Sequence, residues 1–144
     1  MRIYRIVLDT NIIITALRSR KGTSYALLRQ IHRPEIEIAV SVPLVLEYEK
    51  VALAHQDHLI FSREDMLAYI DYLCSIAIRQ KIHYLWRPYL RDPGDDMILE
   101  LAVAAHCDYI ITFNKKDFAG SERFGIFAIT PKELFTILQR PDNR

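Results

Sequence analysis

Acidic side chains recur in this sequence at places where a folded chain does chemistry. Asp9 directly follows an apolar run over residues 3–8. Glu47 lies in a helical stretch opened by Pro43, Asp95 and Asp96 stand in tandem behind Asp92-Pro93-Gly94, and Asp117 trails the apolar run 109–112. Carboxylates gathered in one place repel one another and raise each other's pKa, so a natural cluster usually contains a cation. Hard oxygen ligands select Mg²⁺ or Mn²⁺. Such an ion lowers the pKa of an attacking water and stabilises charge growing on phosphate oxygens, the two needs of phosphodiester hydrolysis. Whether one ion or two would bind is open at this point.

For these residues to meet, the chain must deliver them to one edge. Residues 3–8 read as a buried strand, and Asp9-Thr10-Asn11 supplies capping residues before a helix over 12–17. Gly22-Thr23-Ser24 opens a second amphipathic segment to about residue 31, closed by Pro34. A second strand spans 35–40. Ser41 or Val42, with Pro43 at a first helical position, starts a helix to about residue 53 that carries Glu47. Ser62-Arg63-Glu64-Asp65 resembles a capping box for a long helix to about residue 78. Residues 82–86 are the expected third strand, and 87–94, with two prolines and a glycine, a loop feeding a helix over 95–106. Strands four and five fall at 109–112 and 126–129, and Thr130-Pro131-Lys132-Glu133 combines a capping box with proline at the first helical position. Strands alternating with helices predict an α/β fold, a mostly parallel sheet of about five strands with helices on both faces. Ligands bind such a sheet beyond the carboxyl ends of its strands. Four separate connections thus bring carboxylates to one rim.

The whole chain sets the remaining bounds. At 144 residues, 51% hydrophobic and 26% charged, it has the profile of a single globular domain, residues 1–144, with one core. Its apolar runs are far short of the roughly 18 residues of a membrane span. The first residues show neither an apolar signal core nor a cleavage site, so a cytoplasmic protein is expected. Cys74 and Cys107 sit in apolar patterns and read as buried reduced thiols. His55 and His58 form an H-x-x-H with no further ligand nearby, which fits a helix end or loop better than zinc. The net charge of +1 conceals local patches. Arg18, Arg20 and Lys21 early, and Lys115 and Lys116 beside Asp117, suit phosphate contacts, with solvation of helix and loop ends the plain alternative. Tyr25, Tyr48 and Trp86 read as core or interface, and the apolar faces of the helices over 25–31 and 63–78 suit a homodimer.

Each acid has an ordinary reading too. An aspartate at a helix start is more often a cap than a ligand, and taken alone Asp95 favours capping and Asp117 a turn at Phe118. Asp9 differs, because it follows a buried strand directly. Joint placement lifts all of them. A dinucleotide site would need glycines after the first strand, where Asp9-Thr10-Asn11 has none, and no Walker A loop occurs.

These residues also carry a family resemblance. Val7-Leu8-Asp9-Thr10-Asn11-Ile12 resembles the opening motif of PIN domains, and Ser41-Val42-Pro43-Leu44-Val45-Leu46-Glu47 their second. Asp92-Pro93-Gly94-Asp95-Asp96-Met97-Ile98-Leu99-Glu100-Leu101-Ala102 resembles the third. The stretch from Tyr109 through Ile110-Ile111-Thr112-Phe113-Asn114-Lys115-Lys116-Asp117-Phe118 resembles the fourth. The resemblance implies a Rossmann-like PIN fold and a Mg²⁺- or Mn²⁺-dependent endoribonuclease acting on single-stranded RNA. More narrowly it implies a VapC-like toxin, the toxin half of a bacterial or archaeal toxin–antitoxin pair, with a small antitoxin protein as partner and a homodimer as the assembly. By position, Asp9, Glu47 and Asp96 match the core acidic residues of the family and Asp117 the more variable fourth, while Asn11 and Thr112 match its supporting polar residues. Two departures stand out. Many relatives have aspartate at the place of Asn114, leaving the fourth ligand between Asn114 and Asp117. The tandem leaves the third between Asp95 and Asp96, and the register to Thr112 favours Asp96. The rivals are a phosphatase resembling the haloacid dehalogenases, which Asn11 deprives of its second aspartate, and a PIN fold that binds RNA or protein without cutting.

Overall fold

Ile6, Val7 and Leu8 are all buried. A strand covered on both faces reads as an unbroken apolar run, and it belongs at the centre of a parallel sheet. In the computed structural model, which describes residues 1–82, 89–90 and 92–140, that strand is β1 (Tyr4–Leu8). It is followed by α1 (Thr10–Arg18), α2 (Thr23–Arg29), β2 (Ile36–Val40), α3 (Val42–Ala54), α4 (Arg63–Ile76), β3 (Ile78–Arg79), α5 (Pro93–Ala104), β4 (Tyr109–Ile111), β5 (Phe127–Ile129) and α6 (Pro131–Leu138). The five strands are parallel throughout in the order β3-β2-β1-β4-β5, with Ile6 opposite both Ile38 and Tyr109 and Leu8 opposite Ile111. The α/β sheet expected from the alternation of elements is therefore the one present, and it is a PIN fold.

Local signals place most helix ends. Ser41 Oγ accepts from the Leu44 N–H at 3.3 Å and proline occupies the first turn of α3. Ser62 Oγ accepts from the Asp65 N–H at 3.1 Å. Thr130 and Glu133 form the full reciprocal box, Glu133 N–H donating to Thr130 Oγ1 at 3.1 Å and Thr130 N–H to Glu133 Oε1 at 2.9 Å. Helix α5 starts at Pro93 rather than Asp95, because Asp92 is its N-cap and accepts from the Gly94 N–H at 2.9 Å.

Among the described residues the third strand is Ile78–Arg79, paired with Ala39 and Val40; of the stretch 82–86 expected from the sequence, residues 83–86, with Trp86, lie outside the described residues. Two residues leaving α4 in extended conformation suffice, since β2 supplies the template. His55 caps α3 and His58 ends a short 3-10 turn, as a helix end should. Cys107 is buried, whereas Cys74 is half-buried, and both are free thiols. Among the described residues no helix is long and apolar enough to cross a membrane.

The strand order fixes where a site can form. From β1 the chain moves to β2 on one side, while β4 enters on the other side of β1. The carboxyl ends of β1 and β4 therefore flank the switch point, where helix connections leave in opposite directions and a crevice opens. Tyr48 of α3 is buried and donates its hydroxyl to the Leu8 carbonyl at 2.5 Å, which fixes α3 beside that crevice.

Candidate metal centre

Asp9 and Thr112 close β1 and β4 at the switch point. Asp9 continues the ladder, its N–H donating to the Ile111 carbonyl at 2.9 Å. Its side chain makes no capping bond to α1; it accepts from the Thr112 hydroxyl at 2.7 Å, and Thr112 Oγ1 in turn accepts from the Asn114 N–H at 3.0 Å. Only 8% of Asp9 is exposed. Burial pushes its carboxyl above the usual range, the Thr112 hydroxyl opposes that, and the charge of Asp117 adds to the rise.

A depression of about 550 Å³ opens over Asp9. Glu47, one and a half turns into α3, reaches it half-buried, and Asp92 and Asp95 enter from the start of α5. Asn114 and Asp117 enter from the exposed turn after β4. Asp95 has its carboxyl pushed up to about 7, first by burial and then by the charges of Asp9, Asp92, Asp117 and Asp96. Like charges crowd here, and among the described residues none of these carboxylates is joined in an ion pair.

The tandem pair divides. Asp96 is 1% exposed and does not line the depression; Oδ1 accepts from the Leu90 N–H at 2.7 Å, and the Tyr89 N–H lies 3.3 Å from both oxygens. Successive residues of a helix point about 100° apart. With α5 starting at Pro93, Asp95 faces the rim and Asp96 turns in to hold the segment before the helix. Asp96, favoured by the register to Thr112, thus lies away from the depression that Asp95 lines.

Asn11 Oδ1 is buried at the depression without a hydrogen-bond partner. Among the described residues, no three His, Cys, Asp or Glu side chains come close enough to form a ready-made ligand shell. The donor chemistry nonetheless fits a hard divalent cation: every acidic or amide group at the depression offers oxygen, and one buried amide oxygen is unspent. Asp9, Glu47, Asp95 and Asp117 are the carboxylates that would hold it, with Asn11 and Asn114 beside them.

The basic residues scatter. Arg18 lines the depression. Lys116 lines a neighbouring one of about 310 Å³ with Tyr89 and Leu90, and Asp117 is common to both. Lys115 is held by Glu133 at 3.1 Å, Arg20 lies over the Phe61 ring at 5.0 Å, and Lys21 lines neither depression. Four polar lining residues escaped the sequence reading as site residues: Thr10, Thr15, His55 and Asp92. The signal for His55 was its place eight residues after Glu47, on the same face of α3.

Residues 5–116 match the family model described as PIN domain, and the chain belongs to the PIN domain family. PIN domains are typically nucleases and generally bind divalent metal. Among solved structures the chain is similar to VapBC2 from Rickettsia felis, bound to a DNA fragment from its promoter, at 16% identity and TM-score 0.57, over 86% of this chain and 96% of that one. It is also similar to VapBC-1 from nontypeable Haemophilus influenzae at 20% identity and TM-score 0.59, over 89% and 98%. Likeness at these identities shows the fold. No curated protein matches.

Proposed function

We propose that this protein is a metal-dependent endoribonuclease that cleaves single-stranded RNA and serves as the toxin of a cytoplasmic toxin–antitoxin pair. The observation that carries the reading is the convergence of Asp9, Glu47, Asp95 and Asp117 on one depression at the switch point of a PIN fold. Asp9, Glu47, Asp95 and Asp117 would hold Mg²⁺ or Mn²⁺. When bound, the ion supplies charge neutralisation at the phosphate and an acidified water. The chain's own residues set the stage. Thr112 donates to Asp9 and fixes its carboxylate, and such outer partners orient ligands. Asp96 ties the approach to α5 and so places Asp95.

The toxin role draws support from the two VapBC structures that share the fold. An apolar depression of about 260 Å³, lined by Leu17, Tyr25, Leu28, Phe61 and Tyr69, offers a protein partner a surface away from the carboxylates, suited to an antitoxin or a second copy. Incubation with a panel of single-stranded RNAs tests the activity. Cleavage with Mn²⁺ that stops on adding EDTA is the expected result; undiminished cleavage in EDTA, or binding without cleavage across the panel, overturns it.

A further inference from the structure

One wall of the acidic depression is basic. Among the described residues that line it, Arg18 and His55 are the only basic ones, and they lie at the C-terminal ends of two helices that pack against each other. Arg18 is the last residue of α1 and His55 the C-cap of α3. On α1 the lining residues run Asn11, Thr15, Arg18; on α3 they run Glu47, Val51, His55. Each helix thus presents a stripe that begins beside Asp9 and ends in a basic group about 11–12 Å along the axis, at 1.5 Å per residue.

Both groups have an ordinary local role and capacity beyond it. A cation in the last turn of a helix favours the negative end of its dipole, which suits Arg18 and His55 alike. His55 Nδ1 lies 2.9 Å from the Val51 carbonyl; a carbonyl only accepts, so Nδ1 carries a proton, and in the imidazolium form of the ring Nε2–H is the donor that a phosphate oxygen can accept from. Among the described residues, neither Arg18 nor His55 is paired with a carboxylate, although five acidic residues line the same depression. Along each helix the rise of about 11–12 Å from the residue nearest Asp9 to the basic end exceeds a Debye length in physiological salt. A strand of nucleic acid fits that spacing of signs: one phosphate over the carboxylates, where a cation must mediate, and a neighbouring phosphate against the bare bases. The arginine fork also matches phosphate oxygens in geometry.

We propose that Arg18 and His55 form a phosphate-binding wall that takes a phosphodiester neighbouring the scissile one and sets the register of the strand over the carboxylates. This rests on the ribonuclease reading for its substrate. The two are substrate-positioning residues; neither touches the reacting atoms.

The test uses the full chain and a fluorescent single-stranded RNA, with Ca²⁺ in place of Mn²⁺ for binding and Mn²⁺ for cleavage. Arg18→Ala and His55→Ala should each weaken binding about tenfold, as loss of one charge-assisted contact does. The Arg18→Ala plot of log affinity against log salt should flatten by about 0.7, the contribution of one phosphate on a single strand. KM should rise while kcat changes little, and Arg18→Lys should recover part of the loss. Replacing a single linkage by an uncharged methylphosphonate, scanned along the strand, should weaken wild-type binding at one position beside the cleaved linkage and have no further effect there in the double variant. Unchanged affinity and salt slope in both variants overturn the wall, as does a methylphosphonate loss that persists in the double variant. A wild-type chain that binds through these residues but cuts nothing leaves the wall standing and removes the nuclease. Cleavage with unaffected variants does the reverse, and failure of the wild type to bind removes both.

Discussion

Arg5, near the start of β1, sits among partners of opposite sign. Its Nε lies 2.9 Å from Glu37 Oε1 on β2, its Nη1 donates to the Ala105 carbonyl at 2.7 Å, and its N–H donates to Asp108 Oδ2 at 2.9 Å. Four residues along the same strand direction, Asp9 faces Asp95 and Asp117, and the side-chain donor it has is the Thr112 hydroxyl. One end of the strand spends its charges on joining β1, β2 and the turn before β4. The other end leaves like charges crowded and one buried amide oxygen unspent. Carboxylates kept together in this way raise the energy of the metal-free fold, which a divalent cation at the proposed site would relieve. The contrast separates groups that hold the sheet from groups that the proposed function assigns to a metal.

The largest effect should come from breaking the acidic end. Asp9→Asn and Asp95→Asn should each lower RNA cleavage by more than about 100-fold, beyond the 10–100-fold that loss of an outer partner of a metal ligand costs. Their melting temperatures in EDTA should not fall. Asp96→Asn should behave oppositely within the same tandem, melting lower by the equivalent of about 1–3 kcal/mol because the buried N–H groups of Leu90 and Tyr89 lose a charged acceptor. Cleavage and melting measured on all three variants decide it, and a stable, inactive Asp96→Asn beside an active Asp95→Asn would restore the assignment by register.

Smaller changes should follow at the basic end. Arg5→Met keeps the aliphatic stem and deletes the guanidinium. Arg5 and Glu37 are each about a third exposed, at 34% and 39%, so solvent screens the pair and the cost should be about 1 kcal/mol. Cleavage per folded molecule should not change. A urea melt with a matched activity assay checks this, and a loss of activity at constant stability would show that the two ends are coupled.

What the sequence disclosed follows the range of the forces involved. The buried run ending at Asp9, the Thr130–Glu133 box and the proline-started α3 are local signals, read within a few residues of where they act. The gathering of carboxylates at one rim followed from the alternation of strands and helices. The choice between Asp95 and Asp96 did not, because it turns on which residue of Asp92-Pro93-Gly94 caps the helix, and a shift of one position rotates the answer by about 100°. Strand β3 was hidden for another reason: two residues have no pattern of their own, and Ile78–Arg79 is a strand only because Val40 and Ala39 offer an edge. Likewise, the link from Arg5 to Asp108 and Ala105 spans about a hundred residues of chain and leaves no local trace.

The least effect expected is also the one that measures crowding directly. Asp95 has its carboxyl pushed up to about 7, from an ordinary value of 3.8. A carboxyl with a raised folded pKa binds its proton more tightly in the native state than in the unfolded one, so it penalises the native state once it must ionise. That penalty is absent below pH 3.8, grows between 3.8 and about 7, and is complete above 7. Asp95→Asn removes it. In EDTA at pH 8 the variant should therefore melt above wild type, and by pH 5 the gap should narrow to less than half, closing only near pH 3.8 where the unfolded carboxyl is protonated as well. Asp95 is only partly buried, so solvent reduces the gain, and a shift of a few degrees is the scale for a domain of this size. Mn²⁺ at pH 8 should reverse the order, since binding to the native state alone stabilises by about 2.7 kcal/mol at a hundredfold excess over Kd and the variant has lost a ligand. Paired melts at pH 5 and 8, each with EDTA and with Mn²⁺, carry the decision. A gap that is the same at both pH values would mean that neither burial nor the neighbouring carboxylates press on Asp95, and the two ends of β1 would then differ in composition without differing in energy.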